Sequence, residues 1–134
     1  DSYLADGKIR VKPNAFDVPL TYHDPCNLGR NAGLFDEPRR LLEAVASDFR
    51  ELTPNREYNW CCGGGGGLIA APEMKDLRMD AGRPKADQIR QTNAKWVTTT
   101  CENCKTQLGD LNEHYELGVE IKGVLDLIAD ALIL

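Results

Sequence analysis

The sequence predicts an α/β fold, a parallel four-stranded sheet with flanking helices. Short β-prone runs alternate with longer runs of helical periodicity, in the order β-α-β-α-β-α-β-α, and alternation of this kind implies a parallel sheet with right-handed crossovers. Glycine and proline punctuate the joins between them. The five cysteines fall in three groups, Cys26, Cys61–Cys62 and Cys101–Cys104, and each group follows a run read as a strand or its exit loop. Ligands of open parallel sheets sit beyond the carboxyl ends of the strands, so the sulfurs are expected along one edge.

Residues 1–17 read as an N-terminal linker or small hairpin, with a turn at Asp6-Gly7 between β-prone pieces. Residues 18–134 read as one domain. Its first strand is Val18 to His23, short and apolar, ended by Asp24-Pro25 ahead of Cys26. Pro38 suits a helix start, and Leu41, Leu42, Val45, Ala46 and Phe49 follow at helical spacing, with Arg39, Arg40, Glu43 and Asp48 assigned to the outer face. A strand near Phe49 to Thr53 leads to Pro54 and the Cys61–Cys62 loop. Pro72-Glu73 begins a helical pattern reaching about Gln91, with Leu77, Met79, Ala86 and Ile89 expected inward and a kink or break expected at Gly82 and Pro84. Lys95 to Thr100 is the clearest strand by propensity. A helix from about Asn103 to Tyr115, stopped by Gly118, a strand Val119 to Lys122 and a closing amphipathic helix Leu125 to Leu134 complete a Rossmann-like series of βα repeats.

A chain of 134 residues makes one domain with a single core. No apolar run approaches the roughly 20 residues of a membrane span. The net charge of −5 argues against nucleic acid as a partner, because phosphate neutralisation needs a basic face. The opening Asp-Ser-Tyr-Leu suggests an excised domain or processed fragment. An odd cysteine count leaves a thiol over in any disulfide framework, and adjacent cysteines pair only through a strained ring. A reducing cytoplasm with metal-bound thiolates is the expected setting.

Several chemistries fit five thiols so placed. Buried free cysteines behave as small hydrophobes. A structural zinc ion uses four ligands and leaves one cysteine spare. A dithiol at Cys101-Glu102-Asn103-Cys104 leaves the other three unexplained. An iron–sulfur cluster uses thiolates, although the common cubane needs only four. Five glycines, Gly63 to Gly67, follow Cys62 and strip side chains from that spot. They form no phosphate loop, since no Gly-Lys-Ser/Thr follows. His23 is a candidate proton donor and Arg30 a candidate carboxylate binder or charge neutraliser, each with a plainer role as strand cap or surface ion pair. Trp60 is a candidate shield for the site, Trp96 a core residue and His114 a solvated one.

The strings His23-Asp24-Pro25-Cys26-Asn27-Leu28-Gly29-Arg30, Cys61-Cys62-Gly63-Gly64 and Cys101-Glu102-Asn103-Cys104 resemble the cysteine-rich CCG domain of the heterodisulfide reductase family, from about Val18 to the end. Within that family the chain looks most similar to the C-terminal part of the K subunit of the sulfite-reduction-associated membrane complex. The gap from Cys62 to Cys101 is slightly longer than the family's, which suggests an insertion near Gly82-Arg83-Pro84. The resemblance implies a non-cubane [4Fe–4S] cluster held by Cys26, Cys61, Cys62, Cys101 and Cys104, with Gly63 and Gly64 beside it and His23 and Arg30 as catalytic candidates. It implies reduction of a disulfide or trisulfide, on a small sulfur-carrier protein or a small molecule. The implied partners are an upstream iron–sulfur domain and other subunits of a redox complex, on the cytoplasmic face of a membrane. A zinc-binding interaction module and an electron-relay domain are the alternatives.

Overall fold

A computed structural model describes residues 1–133. The expected end of the last helix at Leu134 lies outside the described residues. The elements are α1 (Ser2–Ala5), β1 (Leu20–Tyr22), α2 (Asp36–Val45), β2 (Phe49–Arg50), α3 (Lys75–Thr92), β3 (Trp96–Thr99), α4 (Glu102–His114), β4 (Glu120–Gly123) and α5 (Val124–Asp130). A π-helical turn spans Asn27–Asn31, and 3-10 turns span Arg56–Tyr58, Leu68–Ala70 and Pro72–Met74.

The four strands form one parallel sheet in the order β2-β1-β3-β4. From β1 the chain steps outward to β2, then crosses back over β1 to reach β3. Right-handed crossovers in opposite directions put their helices on opposite faces. Accordingly α2 packs with α5 on one face and α3 with α4 on the other. Strand alternation feeds both layers. Leu20 and Tyr22 of β1 join Leu42, Val45, Val124 and Leu127 in the first core. Val97 of β3 joins Met79, Ile89, Leu108 and Leu111 in the second. Each such side chain, fully buried, contributes about 1.5–3 kcal/mol over its exposed state.

Four local expectations change. Ser2–Ala5 is a helical turn, not the arm of a hairpin, and the segment after it is held by two isolated bridges, Val11 to Leu132 and Phe16 to Ala46. The segment Lys75–Thr92 is one helix, unbroken at Gly82 and Pro84. Pro84 is exposed, so the backbone carbonyl it deprives of a partner lies on the solvent side. Leu77 is exposed on the same helix while Arg78 and Lys85 are buried. Arg39, assigned by periodicity to the outer face of α2, is buried because Asp24 and Glu51 receive its guanidinium.

Candidate metal centre

β1 and β3 are neighbours whose onward connections leave in opposite directions, which makes the crevice beyond their carboxyl ends the switch point of the sheet. Cys26 follows β1 at the mouth of the π-helical turn. Cys101 follows β3, and Cys104 lies in the first turn of α4. The loop after β2 brings Cys61 and Cys62 to the same place. A cavity of about 260 Å³ lies there, lined by Cys26, Cys61, Cys62, Cys101 and Cys104 together with Asn27, Asn103, Gly64, Gly65 and Gly66. Cys62 and Cys104 are buried and form its floor, with Sγ atoms 3.6 Å apart. Cys26 and Cys61 are exposed at its rim.

The glycines divide into two roles. Gly63 has φ +94°, and a Cβ there would lie 2.7 Å from the Arg78 carbonyl oxygen. A Cβ at Gly64 would lie 2.8 Å from the Gln107 Cβ. Both are therefore packing positions, and Gly65 to Gly67 make the open lip. Gln107 Nε2 donates to the Cys62 carbonyl at 3.0 Å and to the Arg78 carbonyl at 3.1 Å, so α4 holds the floor of the cavity directly.

Polar anchors fix the two other loops. Asp24 accepts from both terminal nitrogens of Arg39 at 2.7 and 2.8 Å and from the Arg56 backbone N–H at 2.9 Å. Asn59 Nδ2 donates to the Asp24 carbonyl at 2.6 Å, and Asn59 Oδ1 accepts from Lys85 Nζ at 2.7 Å. Arg30 donates to the Glu57 carbonyl at 3.0 Å and to the Asn59 carbonyl, with a longer contact to Cys26 Sγ at 3.8 Å. Arg30 thus ties the Cys26 turn to the Cys61 loop.

His23 is wholly buried, and both its ring nitrogens lack a hydrogen-bond partner. One of them lies within 4.8 Å of the Cys62 and Cys104 sulfurs, and those two sulfurs lie within the same distance of each other. Burial, then the charges of Lys85 and Arg30, push the His23 imidazole well below its ordinary value, so it stays neutral. The Cys61 thiol is raised far above the ordinary range, first by its hydrogen bond with Cys62 and then by burial. Cys62 is pushed up to about 12, chiefly by its hydrogen bond with Cys104. Burial pulls the Lys85 ammonium down to about 8, with Asp24 pulling the other way.

The sulfur ligands are soft, and their number and convergence suit an iron–sulfur centre or zinc. Every cysteine expected at the site lines the cavity, Gly64 lines it too, and Gly63 packs just beneath. His23 lies behind the floor and Arg30 outside the rim. Trp60 is half-exposed beside Cys61, Trp96 packs on Phe16 with ring centroids 5.5 Å apart, and His114 is exposed. Asp24, Asn59, Lys85 and Gln107 were not singled out by sequence. Only the proximity of Asp24 to Cys26 and of Asn59 to Cys61 gave a signal.

A family model described as a cysteine-rich domain, CCG, matches residues 20–109. The chain is 35% identical over 114 residues, 84% of its length, to one subunit of the dihydromethanophenazine:CoB–CoM heterodisulfide reductase of Methanosarcina barkeri. It is 33% identical over 120 residues, 85% of its length, to the second iron-sulfur subunit of an Hdr-like menaquinol oxidoreductase of Archaeoglobus fulgidus. It is 31% identical over 133 residues, 97% of its length, to a probable iron-sulfur-binding oxidoreductase of Bacillus subtilis. The matches cover 27%, 21% and 18% of those proteins, so the chain spans less than a third of the curated relatives it matches. With its cysteine strings, its sheet topology and these relatives in agreement, the chain belongs to the cysteine-rich CCG domain family of the heterodisulfide reductases.

Proposed function

We propose that residues 18–134 form the iron–sulfur domain of a heterodisulfide-reductase-like oxidoreductase that reduces a disulfide or trisulfide at a non-cubane [4Fe–4S] cluster. The observation that carries this reading is the single cavity lined by all five cysteines. Its 260 Å³ is many times the space one water molecule needs, which suits a multi-atom inorganic group better than one ion. When bound, such a cluster supplies electrons one at a time, and cleavage of one S–S bond takes two electrons and two protons to give two thiols.

The chain's own residues supply the rest. Gly64, Gly65 and Gly66 leave one wall free of side chains, so a substrate sulfur can approach the cysteines. The N-terminus of α4 directs its free N–H groups toward the negative charge held there. His23, neutral and without a hydrogen-bond partner near Cys62 and Cys104, is close enough to offer an N–H to a sulfur-bound group in the cavity. Arg30, just outside the rim beside Cys26, offers a cation to an anionic substrate group. The disulfide belongs to a small sulfur-carrier protein or a small molecule. Electrons come from an upstream iron–sulfur domain within a multi-subunit complex at the cytoplasmic face of a membrane, to which partner subunits attach it. Among the described residues no helix is long and apolar enough to cross a membrane.

A zinc-stabilised interaction module is favoured by one observation, the approach of His23, Cys62 and Cys104 to within 4.8 Å of one another. Iron and sulfide analysis of oxygen-free protein separates the two. About four irons per chain with matching sulfide is expected. Stoichiometric zinc without sulfide, and unfolding on chelation, would replace the proposal with the zinc reading.

A further inference from the structure

Lys85 sits midway along α3 and is 0% exposed. The other buried residues of this helix are Arg78, Met79, Gly82, Ala86, Gln88 and Ile89, none of which is an anion that could compensate an ammonium. Its Nζ has one hydrogen-bond acceptor among the described residues, Asn59 Oδ1, and forms no ion pair among them. Asp24, the carboxylate on this side, is already gripped by both terminal nitrogens of Arg39. A buried cation without a carboxylate partner is costly unless another anion stands near. The anion-forming groups that packing brings to this stretch of α3 are thiols: a Cβ at Gly82, one turn before Lys85, would lie 2.6 Å from the Cys62 carbonyl oxygen, and the thiols of Cys62, Cys61 and Cys104 favour the charged ammonium.

Asn59 makes the placement specific. It precedes Cys61 by two positions, and its other amide atom bonds the Asp24 carbonyl, two positions before Cys26. One side chain therefore registers the ammonium against both cysteine-bearing loops.

We propose that Lys85 is the counter-cation of the cysteine cavity, a positioning residue whose fixed charge raises the electron affinity of the group bound there. This rests on the iron–sulfur reading above. One electron enters from a low-potential one-electron reductant, no bond forms or breaks, and Lys85 stays protonated throughout. A positive charge at this depth favours the reduced state because little water screens it.

The test uses the complete protein, prepared without oxygen, as wild type and as Lys85→Met, Lys85→Gln and Lys85→Arg. Folding is checked by circular dichroism, and iron and sulfide are counted before any titration. Dithionite titration of the paramagnetic signal then gives the midpoint. Both neutral variants are expected to hold wild-type iron and to titrate at more negative potential. At the wild-type midpoint their ratio of reduced to oxidised centre should fall about tenfold, equivalent to 59 mV for a one-electron couple. Lys85→Arg should titrate near wild type.

Loaded neutral variants with an unchanged midpoint overturn the role of Lys85 while leaving the iron–sulfur reading intact. So does an arginine variant that shifts as far as the methionine one, since packing would then be the cause. Loss of iron from both neutral variants with retention in Lys85→Arg supports a charge requirement, and loss from all three overturns it. Wild-type protein with zinc and no sulfide removes the iron–sulfur reading first, and this role with it.

Discussion

At Gly63 the backbone is held at φ +94° with the Arg78 carbonyl where a side chain would begin. Gly63→Ala is expected to cost about 1–3 kcal/mol in urea unfolding of the metal-free chain, through backbone strain and crowding together; an unchanged midpoint would show that the loop relaxes freely. On the proposed cluster, Cys61→Ser and Cys62→Ser should each abolish the paramagnetic spectrum, and a wild-type spectrum in either would rule out five-cysteine ligation. His23 makes a pH prediction. Its folded-state value lies well below the ordinary 6.5, so the unfolded chain binds the extra proton first as pH falls. Stability of the metal-free chain should therefore decline below pH 6.5, by up to about 1.4 kcal/mol per pH unit, until the folded-state value is reached. Urea titrations at pH 7 and 5.5 measure it, and His23→Asn should flatten the slope. The cysteines were legible because thiols are rare and their spacing is informative. Lys85 and Arg39 were not, because periodicity assigns charges to the surface and only tertiary partners such as Asn59, Asp24 and Glu51 reveal an exception.

Within α3, two adjacent helix-breaking signals have opposite physical meaning. A Cβ at Gly82 would lie 2.6 Å from the Cys62 carbonyl oxygen and 2.7 Å from Leu111 Cδ2, so the glycine lets the helix touch the cysteine loop. Pro84 is exposed on the solvent side of the helix. Gly82→Ala should destabilise by about 1–3 kcal/mol through overpacking. Pro84→Ala should stabilise by about 1 kcal/mol or more, since it restores a helical hydrogen bond, with part of the gain offset by a freer unfolded chain. Thermal unfolding of both variants checks the pair, and equal signs would overturn this account. Sequence read both residues as interruptions because propensity is local, whereas the buried stripe of Met79, Gly82, Ala86 and Ile89 that holds the helix together is not. From β1 onward the order of strands and helices was legible. The ends were not, since β1 and β2 contain only three and two residues and their limits depend on pairing with neighbours.

Across the whole molecule, sheet order β2-β1-β3-β4 converts three ligand groups far apart in sequence into one crevice. That order was not legible, although strand alternation correctly placed the thiols at one edge. Because Cys61 and Cys62 hold their protons well above neutral pH, metal binding must displace them. Metal uptake should therefore tighten as pH rises from about 6.5 to about 8.5, read by competition with a chromophoric chelator; pH-independent affinity would show that these thiols are already ionised.

The split between a sunken pair, Cys62 and Cys104, and an outlying pair, Cys26 and Cys61, also dictates how the molecule ages. Alkylating agents and oxidants must arrive from the open side, so damage begins at Cys26 while the inner sulfurs remain intact. Peptide mapping after brief iodoacetamide exposure should find Cys26 modified long before Cys104. On the iron–sulfur reading, a molecule injured at Cys26 and Cys61 would keep its shape and its three other sulfurs, which leaves repair by fresh iron and sulfide feasible until the inner pair is reached.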